Sequence, residues 1–218
     1  MTFSLIGRCP RTGQIGAAVA TSSIAVGARC TYAEAGVGAV LTQHRTDPRL
    51  GPRGLALLRS GCTPRQALDA LVASTPHAHW RQLAVMDAAG RSAVYSGAST
   101  KPEKNEAAAQ DVCVIGNILA STAVPPAMLR AFQVDAAAPL AERLVGALEA
   151  GLAAGGEHVP VQSAHLLVVE RESFPLIDLR VDWHDTPIAE LRRLWQRYAP
   201  QSNDYVLRVL DPDNPAVT

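Results

Sequence analysis

The chain has 218 residues, 20 basic and 20 acidic side chains, and 48% hydrophobic content. That excludes an intrinsically disordered chain, which combines low hydrophobicity with high net charge. The balanced charge and the 5% aromatic content argue against a nucleic-acid partner, which selects a basic face or a stacking platform. No apolar run approaches the ~20 residues of a membrane helix, so no membrane partner is expected. The start, Met1 to Arg8, has neither a basic head nor a long apolar core, so no signal peptide is read there. Cys9, Cys30, Cys62 and Cys113 are widely spaced without a C-x-x-C pair, which reads as reduced thiols of a cytoplasmic protein.

Residues 3–7 and 15–21 are strand-like and flank the turn signal Pro10-Arg11-Thr12-Gly13, which predicts an N-terminal hairpin. The small residues at 16–20 predict a sheet face that another element approaches closely. Residues 36–42 give a third strand. Helices follow over 52–60 and from Thr63, where Thr63, Pro64 and Gln66 form a capping-box start. Strands are expected at 82–87 and 92–96 around the turn Asp87 to Gly90, and at 112–116, with a polar loop over 98–110. Helices are expected over 122–133 and 139–153, the second carrying Leu140, Leu144, Leu148 and Leu152. Strands at 164–170 and 176–182 precede a last helix from Thr186-Pro187 to Tyr198. Residues 199–218 read as an extended tail that packs on the domain or on a partner copy. Strands and helices in separate runs predict one α+β domain over 1–198 with largely antiparallel pairing. Neither a complete G-x-G-x-x-G nor a G-x-x-x-x-G-K-[ST] occurs.

Thr2 carries the most chemistry. Methionine aminopeptidases generally remove Met1 when the second side chain is small. Removal leaves Thr2 with a free α-amine of ordinary pKa near 8, able to take the proton of its own hydroxyl. A nucleophile and its base then reside in one residue. Position alone does not separate this from an ordinary second residue. With Met1 retained, the Thr2 nitrogen is an amide and cannot act as a base.

Over roughly residues 2–198 the chain resembles the family known as domain of unknown function 1028, grouped with N-terminal-nucleophile (Ntn) hydrolases. The resemblance rests on Thr2-Phe3-Ser4, Gly16 to Gly27, Ala35 to Val40, Thr42-Gln43, and Gly51-Pro52-Arg53-Gly54-Leu55. Gly116-Asn117-Ile118-Leu119-Ala120, Gly155-Gly156 and Gln162-Ser163-Ala164 complete it. It implies a four-layer αββα sandwich with two largely antiparallel sheets between helical layers, and it makes Thr2 the nucleophile. Ser22, Ser23, Gln43 and Asn117 fall where strands end. Ser22 or Ser23 is assigned to hold the Thr2 amine or hydroxyl, Asn117 with backbone N–H groups to hold an oxyanion, and Gln43 to orient substrate, each with the alternative of a polar strand end that satisfies its neighbours' backbone. His44 and His165 are further substrate-binding or base candidates, each with the bland alternative of a satisfied core or rim histidine. The chain departs from the family at Ser23, where many members carry Lys or Arg, and at Glu157 to Val161, where a basic stretch is common. The only lysines, Lys101 and Lys104, stand in the expected polar loop, so no strand lysine is available to lower the amine's pKa.

His77 and His79 lack a third ligand, and no metal or organic cofactor is expected. Cys62 at a helix entry reads as structural. The expectation is a cytoplasmic amide (C–N) hydrolase of a small-molecule substrate, assembled as a homodimer or higher homo-oligomer. The alternative is a catalytically silent binding or accessory protein of the same fold; loss or retention of Met1 separates the two.

Overall fold

The computed structural model describes residues 1–101 and 103–214. The chain opens with β1 (Thr2–Arg8) and β2 (Ile15–Thr21), the antiparallel hairpin expected from the Pro10 to Gly13 turn. Then come β3 (Thr31–Glu34), β4 (Gly38–His44), α1 (Leu50–Arg59) and α2 (Pro64–Ala73). The middle of the chain forms β5 (Arg81–Asp87), β6 (Ser92–Ser96), β7 (Asn105–Ala109) and β8 (Val112–Asn117), followed by α3 (Val124–Gln133) and α4 (Leu140–Ala153). Last are β9 (Ser163–Val169), β10 (Ile177–Val181), α5 (Pro187–Tyr198) and α6 (Ser202–Leu210).

The strands form a six-stranded sheet of order β10-β9-β2-β1-β8-β7 and a four-stranded sheet of order β3-β4-β5-β6. Every pairing between neighbouring strands is antiparallel. Alternation with period two sends Phe3 and Leu5 of β1 towards α3, α4 and α5, where they join Leu144, Leu148, Phe132 and Trp195. Ile6 faces the other way and meets Ala39, Leu41, Ala84 and Met86 of the smaller sheet. The outer face of that sheet, with Val40, Leu83 and Val85, is covered by Leu50, Leu58, Leu68 and Leu71 of α1 and α2. The central hairpin is thus apolar on both faces, as its sequence reads. The close approach expected over 16–20 is seen at Gly16, where a Cβ would fall 3.1 Å from Leu144 of α4.

Helix α2 starts as its sequence dictates. The Thr63 hydroxyl accepts from Gln66 N–H, and the Gln66 side chain accepts from Thr63 N–H at 2.9 Å. Thr63→Ala should cost about 1 kcal/mol in chemical denaturation, with the unfolding slope unchanged.

Three expectations are corrected. The strand expected at 36–42 is β4, which starts at Gly38 because Gly36 at φ +71° belongs to the turn that joins it to β3, a strand the sequence reading did not include. The expected loop over 98–110 contains β7, an edge strand on β8 whose Ala-rich sequence carries no β signature. The expected extended tail instead forms a turn at Ala199–Gln201 and then α6, which stacks Tyr205 on Tyr198 with ring centroids 5.3 Å apart. The end of the expected tail, 215–218, lies outside the described residues. No helix among the described residues is long and apolar enough to cross a membrane.

Candidate active site

The layer between the sheets changes character along β1. Around Ile6 it is apolar. At the Thr2 end it is polar, because Thr2, Ser4, Thr21, Gln43, Gln82, Asn117, Ser163 and His165 all sit buried there. Buried polar groups need partners, and here side chains supply most of them. Ser4 Oγ donates to Gln43 Oε1 at 2.6 Å, and Gln43 Nε2 donates to Gln82 Oε1 at 2.7 Å. Asn117 Nδ2 donates to the same Gln82 oxygen at 2.9 Å, while Gln82 Nε2 donates to Gly116 O at 3.0 Å. These amides tie β1, β4, β5 and β8 together beneath the chain start.

His165 is closed in on the other side. Its Nδ1 lies 2.6 Å from Thr31 Oγ1 and its Nε2 2.9 Å from Asp178 Oδ1. Burial pushes the Asp178 carboxyl upward, but hydrogen bonds from His165 and Arg180 outweigh it and hold the group well below the usual carboxylate range. His165 therefore joins β9 to β3 and β10.

A cleft of about 310 Å³ opens beside this polar layer, lined by Met1, Thr2, Ser23, Val26, Arg29, Cys30, His44 and Thr46. The Thr2 hydroxyl donates to Met1 O and lies 3.4 Å from Thr21 Oγ1, which itself donates to Met1 O at 2.6 Å. Ser23 Oγ is 3.5 Å from Thr21 Oγ1 and accepts from Arg29 Nη2 at 2.8 Å.

His44 ends β4 at φ +71°, a region that non-glycine residues rarely occupy and that is found disproportionately at functional positions. Its ring stacks on Trp80 and its Nδ1 bonds Trp80 O at 2.9 Å. A carbonyl only accepts, so Nδ1 carries the proton and Nε2 holds a lone pair in the neutral ring. Burial lowers the His44 pKa against the Trp80 hydrogen bond, which raises it, and the nearby chain-terminal amine, Arg45 and Lys101 add to the lowering.

Glu157, just after Gly155-Gly156, completes the surroundings. It is 8% exposed, its Oε2 accepts from Ser22 N–H at 3.0 Å, and its Oε1 has no partner among the described residues. Burial pushes its carboxyl up to about 7, against the downward pull of Ser22, the chain-terminal amine and Thr21. Asn117 Oδ1, on the strand residue paired with Thr2, is the second buried acceptor at this end without a partner among the described residues.

Of the residues singled out in the sequence, Thr2, Ser23 and His44 are brought together in the cleft wall. Ser22 contributes its backbone N–H to Glu157. Gln43, Asn117 and His165 lie fully buried in the polar layer and do not line the cleft. Sequence reasoning missed Arg29, Thr21 and Glu157. Only the fold brings Glu157 to the chain start, and no spacing signals it. Among the described residues no three His, Cys, Asp or Glu side chains are placed to hold a metal ion.

The chain belongs to the family of unknown function DUF1028, whose model matches residues 2–191. It is similar to a crystal structure of a protein from Silicibacter pomeroyi assigned to the same family. That likeness has a TM-score of 0.84 and 32% identity, over 90% of this chain and 88% of that one. A structure of Anbu, an ancestral beta-subunit, from Yersinia bercovieri matches at TM-score 0.39 and 12% identity, over 91% of this chain and 95% of that one. A comparison with curated proteins finds no match.

Proposed function

We propose that this member of the DUF1028 family is an Ntn-type amide hydrolase of a small molecule, with Thr2 as nucleophile once Met1 is removed. The observation that carries the reading is the placement of Thr2. It heads a central strand, its side chain turns to the polar end of the inter-sheet layer, and it lines a cleft. The packing of α3–α5, two sheets and α1–α2 in that order supports an Ntn-like αββα sandwich.

In this reading the Thr2 amine takes the Oγ proton as Oγ attacks the amide carbonyl. The tetrahedral intermediate collapses with transfer of that proton to the leaving nitrogen, giving free amine and a Thr2 ester. Water then attacks the ester, the amine taking and returning its proton, and the acid leaves. No strand lysine is needed to make the amine basic at neutral pH. The Met1 amine is already pushed below its ordinary 8.0 by burial, with Lys101 helping against Glu157 and Cys30. The Thr2 amine would inherit these surroundings. It would also bring a donor to the surroundings of Glu157, whose buried Oε1 is otherwise costly at about 1–3 kcal/mol. Ser23 and Thr21 would orient the Thr2 hydroxyl, and His44 Nε2 would hold the substrate or the attacking water. Gln43, Gln82, Asn117 and His165 would keep the cleft floor rigid.

The test is a mass measurement. The purified protein should lack Met1, and a β-lactone probe should acylate Thr2 with opening of the lactone ring, adding the probe's full mass to the N-terminal peptide. Full retention of Met1, or an adduct elsewhere only, would overturn the reading. A cytoplasmic homodimer or larger homo-oligomer belongs to the same proposal. Trp183, Val209 and Leu210 are exposed and would be candidates for coverage in it, and light scattering showing a monomer would remove that part.

A further inference from the structure

The cleft wall is unevenly charged. Arg29 is clamped by the loop before it: Nη1 donates to Ile24 O at 2.7 Å and Ala25 O at 2.8 Å, and Nη2 to Ser23 Oγ at 2.8 Å. These bonds are spent on neutral oxygens. Nε makes no hydrogen bond, and no carboxylate pairs with the guanidinium among the described residues. The loop itself is held in place. Ala25, at φ +53°, donates its N–H to Asp182 O, and Ser23 O accepts from Ser163 Oγ at 2.6 Å. Arg29 is therefore an oriented cation with its Nε side uncommitted.

More positive charge gathers at the same mouth. Arg45 lies 4.2 Å over the Trp80 ring, the ring on which His44 stacks, and it too has no carboxylate partner among the described residues. Lys101 is close enough to add to the positive charge acting on His44. Glu157, whose charge acts on the chain-terminal amine, is buried beside Ser22 and does not line the cleft. A cleft with an oriented guanidinium, further cations and no lining carboxylate recognises an anion. Its size, about 310 Å³, is at the low end of ligand pockets and suits a small molecule rather than a polypeptide.

We propose that the substrate is a small amide bearing a carboxylate, and that Arg29 binds this carboxylate while the amide carbonyl is presented to Thr2. The claim rests on the hydrolase reading for the carbonyl's position, but the anion site stands on Arg29 and its neighbours alone. A guanidinium fork bonds a carboxylate more strongly and with better defined geometry than an ammonium does. A partly buried fork adds the selectivity that the apolar part of so small a cleft cannot supply. Arg29 is the specificity-determining residue in this view, and Ser23 its positioning residue.

The experiment separates binding from turnover. Calorimetric titration of the Met1-free Thr2→Ala protein with N-acetylglycine and N-acetyl-β-alanine, and with the neutral primary amides of both, reads the anion site without hydrolysis. At least one carboxylate should bind about tenfold or more tightly than its amide at low salt, with the difference shrinking as salt rises. Arg29→Gln should erase the difference, and Arg29→Lys should keep part of it. Circular dichroism and melting of both variants establish that they are folded. Equal binding of acid and amide for both pairs, or discrimination that survives Arg29→Gln, overturns the proposal. Should Arg29→Gln not fold, reduced discrimination in Arg29→Lys with competition by acetate supports the site, and an unchanged preference overturns it. Hydrolysis of the same compounds by the protein with Thr2 intact reports separately on the nucleophile. Acid-selective binding without hydrolysis keeps the anion site and removes the hydrolase, whereas hydrolysis of acids and amides alike does the reverse.

Discussion

Thr2→Ala should abolish turnover and acylation, lowering the rate by about 10⁴-fold or more, the scale set by loss of a nucleophile in other hydrolases. Alanine is small enough for Met1 removal to continue, so the change isolates the hydroxyl. Thr2→Ser should retain measurable activity, because it keeps both the oxygen and the α-amine. A form carrying any uncleaved residue before Thr2 should be as inactive as Thr2→Ala although its hydroxyl is intact. That third arm decides which base operates: activity surviving with the amine acylated would shift the base to His44, whose Nε2 has no hydrogen-bond partner among the described residues. The substitution will not be silent for stability. Thr2 is only 5% exposed, and once Met1 is gone its hydroxyl keeps Thr21 Oγ1, at 3.4 Å, as its neighbour. Losing a buried methyl and the Thr21 contact of the hydroxyl should cost about 1–2 kcal/mol, or roughly 2–8 °C in melting temperature for a chain of this length. The loss of activity at temperatures well below that melt is then chemical rather than structural.

Most of the scaffold was legible because each element carried its own signal. The hairpin announced itself by two apolar strands around Pro10 to Gly13, and α2 by Thr63, Pro64 and Gln66. Elements without a local signal were lost. Strand β7 is Asn-Glu-Ala-Ala-Ala, a poor strand by propensity, and exists because the β8 edge offers it hydrogen bonds. Helix α6 follows Pro200, and the tertiary contact of Tyr205 with Tyr198 accompanies it where the local pattern reads as extended. The site divides in the same way. Thr2 and His44 are strand-end residues whose chemistry is visible in one dimension. Gln43, Asn117 and His165 attract notice for the same reason, since a polar residue in an apolar strand stands out. What their neighbours do to them is invisible in sequence: Gln82, Thr31 and Asp178 are brought by other strands. Glu157 and Arg29 reach the chain start only through the loops that follow α4 and β2, so no spacing could have joined them to Thr2.

Glu157→Gln should make the protein more stable above pH 7 and leave it nearly unchanged near pH 4.5. Burial is the main reason that the Glu157 carboxyl sits at about 7 in the folded protein, whereas an unfolded glutamate sits near 4.3. Between those values the native state holds a proton that the unfolded chain has lost. Because the slope of unfolding free energy with pH follows protons bound unfolded minus protons bound folded, this group makes stability fall as pH rises from about 4.3 to 7. Above pH 7 the cost is complete. Other groups pull the opposite way: Asp178 and Asp47 have lowered pKa values, and His44 is held towards its neutral form. The informative quantity is therefore the variant minus wild-type difference at each pH, which cancels them. Glutamine keeps an oxygen for the Ser22 N–H and carries no charge, so the difference should grow from about zero near pH 4.5 to about 1–3 kcal/mol at pH 8. The same substitution bears on the mechanism. Glu157 raises the pKa of the chain-terminal amine, so its removal should move the acidic limb of the pH–rate profile to lower pH, as the amine becomes free base sooner. A flat stability difference across pH 4.5–8 would show that Glu157 ionises normally. A limb that stays in place while stability shifts would show that the rate-controlling base is not the amine beside it.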